Sequence, residues 1–437
     1  MASLTLVIAV SISAVVLMLS PAYALIAYIG ALVLCPYYLR TELGTLNFPV
    51  HRIVILAVYA SLLIRKNQID KFNFIWPDKF VIACFACNLL AGVFTMPNVM
   101  QLLENQSGRL FDMALPYFAV RLIITNKQRY ILFLKGVLCI AGILAIPAFY
   151  ESVTRHNLFN NLFSFTTIQR AEGTRAIPKW GLYRAGATFG NAIQLGIFFA
   201  MAGGVCAGLL KNIRRHIWFY SIGIGLTLLG VLSSMSTGSF LAAIVTISFI
   251  AYYRYRWYWK QAIVTLVIMC AVVEIISNRH FYEVIDRVAL RSQTAWYRSR
   301  LIEVAFFEGG MSGHWLFGYG LADPGWSKKI DGRSYTDMVN HYLLILSQFG
   351  LVGFIPFCGL IITSVKKLFE KFWLLQLDCD RWFVWSLAGV LFGLLITFNS
   401  VSIFPPCRNF FYVILGLCGA LPQILYRDAK LELQRVK

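Results

Sequence analysis

Long apolar runs follow one another along almost the whole chain, and short polar stretches separate them. A helix needs roughly 20 predominantly apolar residues to cross a bilayer, and most of these runs reach or approach that length. No run shows the residue-by-residue alternation of a membrane β-barrel strand. The pattern therefore predicts an all-α, polytopic membrane bundle of about 12 or 13 transmembrane helices. The runs lie at residues 3–19, 22–38, 52–65, 79–97, 110–126, 130–149, 187–210, 216–233, 237–253, 260–277, 338–364, 383–403 and 407–426.

The first run resembles a secretory signal, because Ala22-Tyr23-Ala24 imitates a signal-peptidase site. A positively charged segment does not precede it, and another apolar run follows at once. We interpret it as the first membrane span.

Composition supports a multi-pass protein rather than a soluble domain with one anchor. Of the 437 residues, 59% are hydrophobic and only 14% are charged, whereas soluble domains carry roughly a quarter charged residues. We expect one integral membrane domain over residues 1–437.

The net charge of +19 is unevenly placed. If the runs are threaded in order, most short basic clusters fall on one side, which the positive-inside rule predicts to be the cytoplasm. Residues 150–186 and 278–337 then form a first periplasmic segment and the main periplasmic loop, the latter bearing short helices. The orientation of the N-terminus stays open, because it changes with the number of short initial spans. The basic clusters lie at 65–79, 127–129, 211–215, 254–260, 366–371 and 427–437.

Both outer segments are rich in arginine, which the charge rule disfavours there. An anionic ligand at the outer face would explain this, because the arginine fork pairs with phosphate oxygens in bidentate geometry. Binding of lipid headgroups is an equally good explanation from composition alone.

Three stretches carry candidate chemistry. Arg184 precedes the span near 187, with Gly186 and Asn191 beside it, and a helix N-terminus next to an arginine suits a diphosphate. The alternative is that Arg184 only anchors the protein at the membrane interface.

The second stretch lies in the main loop. Arg298 and Arg300 open a predicted surface helix that ends at Gly309-Gly310, with Arg291 before it. Glu303 lies one turn after Arg300, so a simple ion pair within the helix is the alternative to ligand binding. Gly318 and Gly320 then flank a tight turn.

The third stretch places Asp337, Asn340 and His341 at the entrance of a span. His341 is a candidate general base because imidazole titrates near neutral pH, although a structural hydrogen-bonded histidine is the commoner case. No metal-ligand cluster, P-loop or nucleophilic triad stands in the sequence, so we predict no cofactor.

Together these stretches resemble the O-antigen ligase and O-antigen polymerase superfamily of bacterial membrane glycosyltransferases. Its members show an arginine before Gly-x-Phe-x-Asn, as in RAGATFGN (184–191), then an arginine-bearing helix and a Gly-hydrophobic-Gly turn, and then a polar element that opens an apolar helix, as in VNHYLLILSQFGLVGF (339–354).

The resemblance implies a GT-C-like helical enzyme of the bacterial inner membrane whose active site faces the periplasm. It implies metal-independent transfer of a glycan from an undecaprenyl diphosphate carrier, with membrane lipids and other polysaccharide-assembly proteins as further partners and no nucleic acid. In this interpretation Arg184 and Arg300, followed by Arg298 and Arg291, bind the diphosphate. The base is His341, or failing that Asp337 or Glu303.

Ligases of this family place histidine directly before the asparagine, whereas Val339 stands there in this chain and the histidine is His341. This favours a polymerase that joins repeat units on the lipid carrier, with a ligase to lipid A core second. A flippase for lipid-linked glycans and a non-catalytic assembly subunit are the alternatives from other classes.

Overall fold

The computed structural model describes residues 2–43, 46–65, 72–163, 178–212, 216–276 and 292–436. Helix dominates these residues and makes up most of each predicted apolar run, in part as a π-helical turn at Leu110–Ala114. Strands β1 and β2 form a small antiparallel sheet (Arg40–Leu43 and Leu46–Pro49). The helices are α1 Ala2–Met18, α2 Pro21–Leu34, α3 Val50–Ile64, α4 Trp76–Thr95, α5 Val99–Arg109, α6 Leu115–Ile123, α7 Lys127–Thr154, α8 Leu158–Leu162, α9 Ala192–Cys206, α10 Leu209–Asn212, α11 Ile217–Ser233, α12 Thr237–Ala251, α13 Trp259–Ile276, α14 Ser292–Phe306, α15 Ser327–Ile330, α16 His341–Glu370, α17 Asp378–Thr397 and α18 Cys407–Val436.

Within the described residues, seven helices are long and apolar enough to cross a membrane, and four shorter apolar helices accompany them. The predicted fold class, a polytopic helical membrane protein, is confirmed. The seven lie at Trp76–Thr95, Lys127–Thr154, Ala192–Lys211, Thr237–Gln261, His341–Leu374, Asp378–Thr397 and Cys407–Lys430, and the shorter ones at Leu4–Met18, Pro21–Leu34, Val50–Ile64 and Ile217–Ser233.

The bundle has two chemically different ends. At one end, which we call the basic end, cationic side chains close the connections between helices, as in the ion pair of Lys127 Nζ with Asp380 Oδ1 at 2.7 Å. Arg65 Nη2 lies at this end and donates to the carbonyls of Leu17 and Met18 at 2.9 Å. Helix α1 therefore finishes at the basic end and begins toward the opposite end.

The opposite end, which we call the site end, gathers all three motif-bearing stretches. Helices α9 and α18 lie at the centre of the bundle, since 89% of the apolar window of each is buried. Because both helices begin at the site end, the loops that precede them close over the middle of the fold.

Residues 292–340 fold over the start of α16 around a small core of their own. Leu301 and Val304 of α14 pack with Met311 and Trp326, and with Leu343 at the start of α16. The indole of Trp326 donates to the carbonyl of Gly310 at 3.1 Å. This part of the main loop is therefore a folded cap with fixed side-chain positions. We call residues 292–340 the cap.

Candidate functional site

The Arg184 stretch forms a loop ahead of α9. The helix begins at Ala192, not near 187 as predicted, because Asn191 is its N-cap and accepts from the amide of Ile193 at 2.8 Å. Gly190 has a φ of +71°, and a Cβ there would lie 2.2 Å from the ring of Tyr37. Asn191 and Gly190 therefore shape the loop, and the half-buried Arg184 is presented from its start.

A buried carboxylate holds this loop in place, and sequence reasoning missed it. Glu151, near the end of α7, accepts from the amides of Gly186 at 3.2 Å and Ala187 at 2.7 Å. It also accepts from the side chain of Asn157 at 2.8 Å. Ala187 has a φ of +42°, an uncommon conformation for alanine. Glu151 thus fixes a strained backbone three residues after Arg184. The role of this acid depends on contacts between α7 and the loop, which only the folded structure shows.

The cap carries the arginines of the second stretch. Its helix α14 starts at Ser292, so Arg298 and Arg300 lie within the helix rather than opening it as predicted. Arg300 donates to Glu303 at 2.7 Å and pairs with Glu308 at 2.5 Å. Two carboxylates therefore offset the charge of Arg300, and the carboxylate of Glu303 is engaged in that ion pair.

Asp337 lies against the helix that carries Arg298, where the cap meets α16. The amide of Asp337 donates to the hydroxyl of Tyr297 at 3.0 Å, next to Arg298 in the sequence. Partial desolvation raises the pKa of the Asp337 carboxyl, and the nearby guanidinium groups of Arg333 and Arg298 act in the opposite direction. The result is an exposed carboxylate with increased basicity beside an arginine.

Asn340 and His341 begin α16. Asn340 is the N-cap, accepting from the amide of Leu343 at 3.0 Å and donating to the carbonyl of Asn399 at 3.2 Å. His341 is only 6% exposed and lies against Phe398, with the ring centroids 4.7 Å apart. Its Nδ1 has no hydrogen-bond partner among the described residues. The imidazole points into the bundle rather than toward the cap.

The Gly-Tyr-Gly turn docks on a break in α16. Gly350 interrupts this helix with φ 59° and ψ −160°. The amides of Tyr319 and Gly320 donate to the carbonyls of Ser347 at 2.7 Å and Gln348 at 3.0 Å. In return, Leu351 and Val352 donate to the carbonyls of Trp315 and Leu316 at 2.8 and 3.2 Å. The glycines permit this close approach, since a Cβ on Gly318 would lie 2.6 Å from the carbonyl oxygen of Ser347.

The broken segment holds a further arginine that the sequence did not single out. Arg109, at the end of α5, donates to the side-chain oxygen of Gln348 at 3.2 Å and stacks over Phe349 at 4.0 Å. Arg109, Arg408 and His341 line one small cavity inside the bundle.

The structure thus joins the second and third stretches directly, through Tyr297 with Asp337 and through the Gly-Tyr-Gly turn with the segment around Gly350. It places His341 with Arg109 and Arg408 instead. Arg291 lies outside the described residues.

Residues 222–358 match a protein-family model described as O-antigen ligase. The matched range contains the second and third stretches, and it confirms the predicted resemblance to the O-antigen ligase and polymerase superfamily. No curated protein matches the chain. A solved structure described as "Structural coordination of polymerization and crosslinking by a peptidoglycan synthase complex" is similar at 15% identity, with a TM-score of 0.40, over 80% of this chain and 96% of that chain.

Proposed function

We propose that this protein is a glycosyltransferase that joins oligosaccharide repeat units carried on polyprenyl diphosphate, at the periplasmic face of the inner membrane. The observation that supports the proposal is the hydrogen bond of 3.0 Å from the amide of Asp337 to the hydroxyl of Tyr297, which brings Asp337 to the helix that carries Arg298. In this proposal Arg298 binds the anion and Asp337 is the base, and both lie within the range that matches the O-antigen ligase family.

The reaction needs both groups. An acceptor hydroxyl attacks the anomeric carbon of the donor sugar, the bond from that carbon to the diphosphate oxygen breaks, and the hydroxyl proton passes to a base. The diphosphate leaves with developing negative charge, which guanidinium groups stabilise most effectively in a site prepared for it. We assign this role to Arg298 and Arg184 first, with Arg300 behind them because Glu303 and Glu308 offset its charge.

Of the three candidate bases, Asp337 fits the geometry best. Its carboxylate is exposed at the site end, where a sugar can reach it, and its pKa is raised. His341 is enclosed between Phe357 and Phe398, and Glu303 is bound to Arg300. We therefore propose Asp337 as the base.

The test is polymer formation by variants that insert normally. Asp337→Asn and Arg298→Gln should each reduce long-chain polymer by about 10²-fold or more, the usual contribution of a general base or a transition-state cation. Asp331→Asn is the matched control, because Asp331 is another carboxylate of the cap and pairs with Arg333 at 3.0 Å. Normal chain lengths from both site variants would refute the mechanism.

A ligase is the second candidate, since the matching family is described as O-antigen ligase. Deletion of the gene separates the functions through the glycan left on the lipid carrier. Single repeat units indicate a lost polymerase, and long chains that stay on the carrier indicate a lost ligase. Repeat units confined to the inner leaflet indicate a flippase and would refute both.

A further inference from the structure

The site end holds a second cationic cavity, separate from the Arg298–Asp337 pair. It has a volume of about 290 Å³. Its polar lining includes Arg52 of α3, Arg109 of α5 and Arg408 of α18, with Glu104 as the carboxylate among its lining residues. Arginines from three helices that are distant in sequence thus converge on one space. We call it the triple-arginine cavity.

A buried carboxylate organises two of these arginines. Asp112, in the π-helical turn after α5, is fully buried. It accepts from Arg52 Nε at 3.1 Å and Nη2 at 2.8 Å, and from Arg408 Nη2 at 2.8 Å. One carboxylate thus holds two guanidinium groups in fixed orientation, which prepares their remaining N–H groups for another ligand.

Arg109 is bound by neutral groups. Its Nε donates to Asn105 Oδ1 at 2.8 Å, its Nη2 donates to Gln348 Oε1, and its Nη1 lies 3.9 Å from the sulfur of Met113. A guanidinium has five N–H donors, so several are left for a ligand. Arg408 Nε is likewise buried without a hydrogen-bond partner among the described residues.

The charges leave this cavity positive. Three guanidinium groups face two carboxylates, Asp112 beneath the cavity and Glu104 on its wall. Burying a guanidinium with only neutral partners is costly unless an anion compensates it. An anion with several oxygens would neutralise the excess charge and accept hydrogen bonds from the unused donors, because arginine binds phosphate oxygens in bidentate fashion.

The size of the cavity and its position indicate a lipid-anchored anion. A water occupies about 30 Å³ in the liquid, so the cavity accommodates on the order of ten non-hydrogen atoms, about the size of a diphosphate group. Helix α5, which supplies Glu104 and Arg109, also exposes Val99 and Leu103, and Leu110 directly after it is exposed as well. An apolar helix surface beside the cavity suits a lipid tail whose headgroup enters from the side.

We propose that the triple-arginine cavity binds the diphosphate of a second polyprenyl-diphosphate-linked substrate. This rests on the proposed function, because joining two carrier-linked glycans requires two diphosphates at once. One leaves at the Arg298–Asp337 pair, and the other stays intact on the second lipid. The cavity holds the second lipid while its glycan reaches the reacting carbon.

The test counts bound lipids on the full chain by native mass spectrometry from detergent micelles, with undecaprenyl diphosphate as the probe. We expect two bound molecules per chain for the original protein. In Arg109→Gln the affinity for the second molecule should fall about tenfold to a hundredfold, so that one molecule per chain stays bound. Arg109→Lys keeps the charge and should retain two. Arg129→Gln is the matched control, since Arg129 also donates to neutral acceptors, Ile123 O at 3.2 Å and Thr125 Oγ1 at 3.1 Å, but at the basic end.

If Arg109→Gln does not fold, Arg408→Gln replaces it, because Asp112 keeps both hydrogen bonds to Arg52. A single bound lipid in the original protein, unchanged by these variants, would overturn the proposal. So would occupation of the site by phosphatidylglycerol or inorganic pyrophosphate with equal affinity, which would indicate a general headgroup or free-anion site. Arg298→Gln should remove the other molecule; if it does not, the proposed function fails while the result for Arg109 still decides this proposal.

Discussion

Docking of the Gly-Tyr-Gly turn on the break of α16 can be tested with one methyl group. In Gly350→Ala, the new Cβ would lie 2.3 Å from the carbonyl oxygen of Leu316. Backbone oxygens cannot yield as a flexible side chain can, so the two segments must separate. The matched control is Gly313→Ala in the same turn region. Gly313 has a φ of +77°, close to the +59° of Gly350, but no described atom lies within 4 Å of its Cβ position.

The expected magnitude follows from the contacts. A sparsely populated backbone conformation with positive φ costs a residue with a Cβ on the order of 1–3 kcal/mol, and both variants bear such a cost. Only Gly350→Ala also breaks the four backbone hydrogen bonds between 315–320 and 347–352. At about 0.5–1.5 kcal/mol each, these are worth roughly 2–6 kcal/mol. Even the lower value would increase the population of the undocked cap about thirtyfold.

Limited trypsin proteolysis measures this population, because Lys328 and Lys329 are exposed cleavage sites within the cap. Gly350→Ala should be cut there at least about tenfold faster than Gly313→Ala, and it should lose polymer formation together with the contact of Gln348 to Arg109. Equal cleavage rates for the two variants would show that the docked segments do not depend on the glycine, and the reasoning would be refuted.

Three further predictions follow from the same contacts. Glu151→Gln should weaken the hydrogen bonds to the amides of Gly186 and Ala187, lowering thermal stability by about 1–3 kcal/mol and polymer yield with it; unchanged chain lengths at full expression would show that the Arg184 loop is held by other contacts. The acidic limb of the pH–rate profile should lie above the usual aspartate pKa, because activity rises with pH as Asp337 loses its proton and the pKa of Asp337 is raised. Asp337→Glu should keep an acidic limb, and Asp337→Asn should lose it. An acidic limb that survives in Asp337→Asn would show that another group is the base. Asp112→Asn should destabilise the protein by about 3–5 kcal/mol in thermal unfolding, because it leaves Arg52 and Arg408 without their buried carboxylate; a change below about 1 kcal/mol would show that the arginines are solvated instead.

The sequence was sufficient to predict the helical membrane bundle. The free-energy cost of leaving backbone groups unpaired in lipid permits few alternatives, so long apolar runs translate directly into helices. It also predicted three motif-bearing stretches, because glycine turns and helix caps leave local signals. Helix starts were less accurate: Ala192 and Ser292 open α9 and α14, where the sequence indicated positions near 187 and 298. A helix N-cap residue or a contact with a neighbouring loop decides where a helix begins, and the pattern of apolar residues shows neither.

The neighbours of each charged side chain were decided by the tertiary structure alone. Local spacing predicted the pair of Arg300 with Glu303, since they lie one turn apart on one helix. Local spacing could not reveal that Glu151 reaches the loop after Arg184, or that Arg52 and Arg408 both bind Asp112. These contacts join residues tens to hundreds of positions apart, and they exist only because packed helices bring their ends together. The energy of an ion pair also depends on how deeply its charged groups are buried, and burial is a property of the folded bundle and not of the residue type.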